Sequence, residues 1–201
     1  MALRALTLDD IMEPRAYERQ RDVIRNQVIS LKAARRVAVG PVISLVFENR
    51  DTIRFQVHEM ARAERAFSDE AVEELLGTYN PLIPQPGQLS ATLLIELTTK
   101  SEMEHWLPRL VGIETAVRFE ISPARAPMMS VPCRVEDAHA ASLTRAEVTS
   151  AVHFILFDFA AEQADSFPEA SVALVVDHPF YQERVELSEA TKASLASDLS
   201  R

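Results

Sequence analysis

Residues 36–67 constrain the fold most, because short apolar runs and an amphipathic segment follow one another there with almost no linker. Residues 36–40 and 42–47 are rich in β-branched side chains, which is typical of strands. Residues 53–57 alternate apolar and polar side chains, so we predict a third strand that pairs with the second in a hairpin. A helix is expected to follow over 57–67. The sheet should therefore begin in this stretch.

Apolar periodicity along the rest of the chain predicts further helices and strands. Helices are predicted over 14–31, 68–80, 101–110 and 188–199, and strands over 89–97, 117–121, 130–135, 148–159, 172–176 and 184–187. This order favours an α+β class: a mixed, largely antiparallel sheet with an N-terminal hairpin, packed by several amphipathic helices. One domain over residues 1–201 is expected at this length, with an irregular excursion at 122–147.

The charge of the chain is unevenly distributed. A formal net charge of -9 argues against broad nucleic-acid binding, because phosphate neutralisation requires clustered Lys and Arg. Residues 1–36 nevertheless hold eight Lys or Arg against five Asp or Glu, and form a basic N-terminal helical segment. We expect this segment to dock on the acidic remainder of the same chain or of a second copy; an acidic partner is the alternative. A homodimer is expected, because this segment and the excursion at 122–147 both offer surface beyond the needs of one domain.

Neither a membrane span nor a secretion signal is expected. The sequence has no apolar run long enough to cross a bilayer, and its start carries Asp9, Asp10 and Glu13 where a signal peptide would be basic and then apolar. We therefore expect a cytoplasmic protein. The single cysteine, Cys133, excludes an intrachain disulfide and any CxxC motif, and its thiol is expected to be inert.

The common catalytic signatures do not occur in this sequence. It has four glycines and contains no GxGxxG, phosphate loop, GxSxG or HExxH motif, which lowers the expectation of an enzyme without deciding the question. No cofactor follows from the residues.

Four residues are individual candidates for a functional role. Glu64 is predicted to share a helical face with apolar residues, so it should form a structural ion pair or act as a functional acid, base or ligand. His153, within an apolar strand, is either a hydrogen-bonded core histidine or a ligand. Asp177 and His178 follow a buried strand, where both a functional cleft and an ordinary turn are typical.

A shared cleft is the hypothesis for the functional surface. Polar side chains in or beside apolar segments need hydrogen-bond partners, and these residues could supply partners for one another across one pocket. The set is Gln56, Glu59, Arg62, Asn80, His153, Asp177 and His178. The alternative is a series of unrelated structural hydrogen bonds. If His153, His178 and Asp177 converged with Glu59 or Glu64, the mixed nitrogen and oxygen ligands would suit iron, zinc or manganese.

Several short sequence blocks together resemble those of a known protein family. They are RVAVGP at 36–41, FENRDT at 47–52, FQVHEM at 55–60 with RAER at 62–65, YNPLIP at 79–84, LVGIE at 110–114, TSAVHF at 149–154 and VDHP at 176–179. The chain resembles, over nearly its whole length, a bacterial family catalogued as domain of unknown function 3501.

The resemblance implies a genomic context rather than an activity. Such proteins are typically encoded beside a rubrerythrin-like diiron protein and an iron-sulfur oxidoreductase of the heterodisulfide-reductase type. The implied role is a non-catalytic accessory or binding protein for that redox system. The alternative is a small metal-dependent enzyme that uses the histidines with Glu59 or Glu64.

Overall fold

Eight strands form one antiparallel sheet in the computed structural model, which describes residues 5–136 and 147–200. The strands are β1 Arg36–Val39, β2 Ile43–Glu48, β3 Gln88–Ile95, β4 Val117–Ser122, β5 Met129–Val135, β6 Val152–Asp158, β7 Ser171–His178 and β8 Tyr181–Glu186. Their order is β1-β2-β3-β6-β5-β4-β7-β8. Together with the helices this is an α+β fold, as predicted, although every strand pair between described residues is antiparallel rather than mixed.

The helices are α1 Pro14–Ala33, α2 Arg50–Glu64, α3 Asp69–Tyr79, α4 Lys100–Trp106, α5 Ala161–Ser166 and α6 Glu189–Leu199. Sequence periodicity did not predict α5. Among the described residues, no helix has the length and apolar character needed to cross a membrane. Part of the predicted excursion at 122–147 is β5. Residues 137–146 of the excursion lie outside the described part of the chain.

The predicted hairpin between residues 42–47 and 53–57 is wrong, because a helix cap follows β2 directly. The Asn49 side chain accepts hydrogen bonds from the backbone N–H groups of Asp51 and Thr52, both at 3.0 Å, and so starts α2. Ile53 and Val57, which suggested a strand, are four residues apart and therefore also lie on one face of a helix. Both are buried there.

The sheet is nearly closed into a barrel, because a tyrosine links its two edge strands. The Tyr181 hydroxyl, at the start of β8, donates to the Val39 carbonyl of β1 at 2.6 Å. The Val42 N–H donates to the same hydroxyl at 3.3 Å. Gly40 turns the chain between them with a φ of 72°, which few other residues tolerate.

Two apolar cores lie on the two faces of the sheet. The inner core contains Phe47, Phe119 and Phe157, whose ring centroids lie 4.7 to 6.2 Å apart. The second core joins α2 and α3, through Ile53 and Leu76 among others, to the outward-facing Phe154 of β6. All six residues of β2 are consequently buried.

The basic segment docks on its own chain through ion pairs. Arg35, directly after α1, is 1% exposed and forms an ion pair with Asp198 of α6, which is 2% exposed. Near the middle of α1, Arg21 pairs with Glu59 of α2 at 2.7 Å. Of the two expected arrangements, docking on the same chain or on a second copy, these two arginines adopt the first.

Candidate functional site

Glu59 joins α1 to α2. Its Oε1 accepts hydrogen bonds from the Tyr17 hydroxyl at 2.7 Å and from Arg21 Nε at 2.8 Å, and its Oε2 accepts one from Arg21 Nη2 at 2.7 Å. The hydrogen bonds from Arg21 hold the pKa of Glu59 below its usual range, against the opposing effect of burial. Burial, followed by the hydrogen bond to Glu59, raises the pKa of Tyr17 above its usual range. Glu59 is thus committed to holding α1 in place.

His58, beside Glu59, is a buried neutral histidine that the sequence did not single out. Its ring stacks on that of Tyr17, with centroids 4.3 Å apart and an interplanar angle of 7°. Burial, with a smaller effect from Arg54, lowers the pKa of His58 to about 4. The signal available in the sequence was spacing. Ala61 and Arg62 follow His58 by three and four residues, so the three side chains are neighbours on α2, and they line one concave surface.

The remaining predicted residues of α2 point to three different surroundings. Gln56 is half-buried and lines a cavity against the sheet. Arg62 is exposed and donates to Glu18 of α1 at 3.0 Å. Glu64 is also exposed, so the prediction that it faces the core is wrong. Glu64 lies two turns after the buried Val57 and so points to the same side of the helix, but it is the last residue of α2 and is exposed there.

Asn80, at the end of α3, has a structural role. Its side chain accepts from the Leu6 N–H at 2.8 Å and donates to the Leu6 carbonyl at 2.9 Å. These two bonds fix the N-terminal segment against α3.

The two predicted histidines bond to backbone groups in separate places. His153 is 1% exposed, and its Nε2 lies 2.9 Å from the Ser150 carbonyl and 2.8 Å from the Thr149 hydroxyl. Burial lowers the pKa of His153. His178 Nε2 lies 3.1 Å from the Val111 carbonyl, and Asp177 accepts from Arg118 at 3.0 Å.

The predicted residues are therefore divided among several environments. The described contacts do not bring His153, His178 and Asp177 together with Glu59 or Glu64. Within residues 5–136 and 147–200, no three His, Cys, Asp or Glu side chains are grouped so that they could hold a metal ion. Each hydrogen bond described for the predicted histidines is with a backbone or hydroxyl group, which fits the structural alternative for both of them.

A concave surface, here called the helical groove, lies between the start of α1 and the α2–α3 connection. Its volume is about 980 Å³. Apolar side chains line it, including Leu8, Ile11, Ala61, Ala66 and Val72, and charged side chains such as Arg15, Arg19, Arg62 and Asp69 border it. Phe67, at its edge, is 59% exposed. The groove is thus an apolar surface with charges of both signs on the α1 side, because Glu13 and Glu18 line it beside Arg15 and Arg19.

A second concavity, here called the sheet cavity, lies between the second half of α1, the first half of α2 and the outer face of β2, β3 and β6. Its volume is about 570 Å³. Most of its lining is apolar, but Lys32, Glu48 and Thr92 form a polar cluster in it. Sequence analysis missed these three residues. The available signal was Glu48, a charged residue at the end of an apolar run.

The fold and these concavities define an α+β protein with a nearly closed antiparallel sheet and helices that form concave surfaces on its outer face. The chain matches, over residues 5–199, the family described as "Protein of unknown function (DUF3501)", and it belongs to this family. It is also similar to a crystal structure of a novel protein of unknown function from Burkholderia pseudomallei. The identity is 34% and the TM-score 0.87, covering 98% of this chain and 100% of that chain. A comparison with curated proteins gives no match.

Proposed function

We propose that this chain is a cytoplasmic, non-catalytic binding protein for a redox partner, and that the partner docks in the helical groove. The observation that carries the proposal is Phe67, a large apolar side chain that is 59% exposed at the edge of an apolar concavity. Exposed aromatic side chains of this kind are typical anchors of protein interfaces.

Charge indicates the chemistry of the partner segment. Arg15 and Arg19 are exposed on the α1 border of the groove. Because Glu13 and Glu18 are exposed on the same border, these residues favour a segment that is apolar at its centre and carries charges of both signs at its edge. Complementary charge speeds association and excludes other partners. The resemblance described above suggests rubrerythrin and the iron-sulfur oxidoreductase as the proteins to test first.

The test is binding of the purified chain to each of these two proteins from the same organism, measured by isothermal titration calorimetry. We expect Phe67→Ser to weaken binding at least about ten-fold, as for an interface anchor. Phe180→Ser is the matched control, because Phe180 is 61% exposed but lies in the turn between β7 and β8, away from the groove. Equal affinities of the two variants would contradict the proposed docking site.

The metal-dependent enzyme receives less support from the contacts. Glu59 already accepts from Arg21, and Asp177 from Arg118. Elemental analysis of protein purified without chelators tests this alternative directly. A stoichiometric transition metal would favour it over the binding protein.

A homodimer is also proposed, through the outer face of α1. Val23 on this helix is 63% exposed, and the basic helix complements the acidic remainder of a second copy. Light scattering at micromolar concentration should give the mass of a dimer. The mass of a monomer would refute this arrangement, and would leave the groove proposal unaffected.

A further inference from the structure

The sheet cavity has the features of a small-molecule site that is separate from the helical groove. Val28, Ile29, Val46, Leu94, Val152 and Phe154 give it apolar walls from one helix and three strands. Its volume of about 570 Å³ falls within the range of ligand sites in proteins. A ligand with a mostly apolar body would fit these walls.

Glu48 supplies an incompletely satisfied acceptor in this cavity. The residue is 5% exposed, and its Oε1 accepts from the Thr92 hydroxyl at 2.9 Å and lies 3.5 Å from Lys32 Nζ. Its Oε2 is buried and has no hydrogen-bond partner among residues 5–136 and 147–200. Buried carboxylate oxygens are normally hydrogen-bonded, because removing them from water is costly.

We propose that the sheet cavity binds a small apolar molecule that carries a hydroxyl group, and that this hydroxyl donates a hydrogen bond to Glu48 Oε2. Lys32 already balances the charge of Glu48, so the polar end of the ligand should be uncharged. A ligand carboxylate would be repelled by Glu48, whereas a ligand ammonium would compete with Lys32. An alcohol or a phenol carries no charge and still donates a hydrogen bond.

Ser90 offers a competing explanation for the same oxygen. It lies directly opposite Glu48 in the β2–β3 ladder, and its hydroxyl also lacks a partner among the described residues. Opposite residues in a ladder share one face of the sheet, so this hydroxyl could turn towards Glu48. If Glu48 serves only to accept a hydrogen bond from Ser90, the cavity should bind ligands with and without a hydrogen-bond donor equally well.

The test compares octan-1-ol with 1-methoxyoctane, which has a similar chain but no hydroxyl donor. Calorimetric titration into the full chain should show about ten-fold tighter binding of the alcohol, as expected for a hydrogen bond to a charged group. Glu48→Gln should remove most of this preference, because the amide offers a weaker, uncharged acceptor. Equal binding of alcohol and ether to the unmodified chain would overturn the proposal.

A second pair of variants tests the location. Val152→Trp should abolish binding of both compounds by filling the cavity, whereas Val148→Trp, at an exposed position that does not line the cavity, should leave both affinities unchanged. Circular dichroism establishes that each variant is folded. Unchanged binding to folded Val152→Trp would exclude the sheet cavity as the site. Because Phe67 does not line this cavity, the result is independent of partner docking in the groove.

Discussion

Replacing Arg35 with Met should destabilise the fold strongly, because its guanidinium is buried and makes four described contacts. It donates to the carbonyls of Phe47 at 2.9 Å and Glu48 at 3.1 Å, and to the Ser194 hydroxyl at 3.1 Å. It also forms the buried ion pair with Asp198. Removing one member of such a pair costs about 3–5 kcal/mol, since the other charge remains buried.

Urea denaturation followed by circular dichroism measures this loss as a change in the free energy of unfolding. For a chain of this size, about 3 kcal/mol corresponds to a fall in the melting temperature of at least about 6 °C. Arg62→Met is the matched control. The side chains of Arg62 and Glu18 are 47% and 59% exposed, so loss of this pair should cost less than about 1 kcal/mol.

The double variant Arg35→Met/Asp198→Leu separates the ion pair from packing. It buries neither charge, so it should be more stable than Arg35→Met alone by at least about 1 kcal/mol. A loss of stability in Arg35→Met no larger than that in Arg62→Met would contradict a strong contribution from the buried ion pair. Additive losses of unfolding free energy for the two substitutions would contradict it as well.

Three further outcomes are expected from buried or constrained positions. The pKa of His58 is about 4 in the folded chain and 6.5 in the unfolded chain, so unfolding between these values takes up a proton. The free energy of unfolding should therefore fall by about 3 kcal/mol as the pH drops from 7 to 4. His58→Phe should flatten this dependence of stability on pH. Burial raises the pKa of Cys133 to about 11, so Ellman's reagent at about pH 8 should react rapidly only after unfolding. Gly40→Ala should cost more than about 1 kcal/mol in urea denaturation, because its φ is 72° and a methyl group would collide with the Tyr181 hydroxyl.

Local signals predicted much of the secondary structure. Pro14 is the first residue of α1, and the side chains of Ser68 and Ser188 cap α3 and α6. The alternation at 89–97 is β3. Each of these features depends on residues that are close in sequence, which is why periodicity and capping were sufficient to find them.

Contacts between distant parts of the chain were not predictable in the same way. Arg35 and Asp198 are 163 residues apart, and nothing near either residue indicates the other. Tyr181 and Val39, whose hydrogen bond links the sheet edges, are 142 residues apart. Grouping the residues of the candidate site also required knowledge of contacts between distant parts of the chain. Gln56 and Glu59 are three residues apart in α2, but one lines the sheet cavity and the other bonds to α1.

The burial of β2 explains why the sheet cavity was overlooked. An antiparallel strand with one wet face should alternate apolar and polar residues, but all six residues of β2 are buried. Its inward side chains pack in the barrel, while Val46 and Glu48 face the helices on the outside. A carboxylate on such a doubly covered strand is costly unless it is satisfied. Glu48 is therefore the residue in β2 whose position most needs an explanation, and Lys32 and Thr92 satisfy only one of its two oxygens.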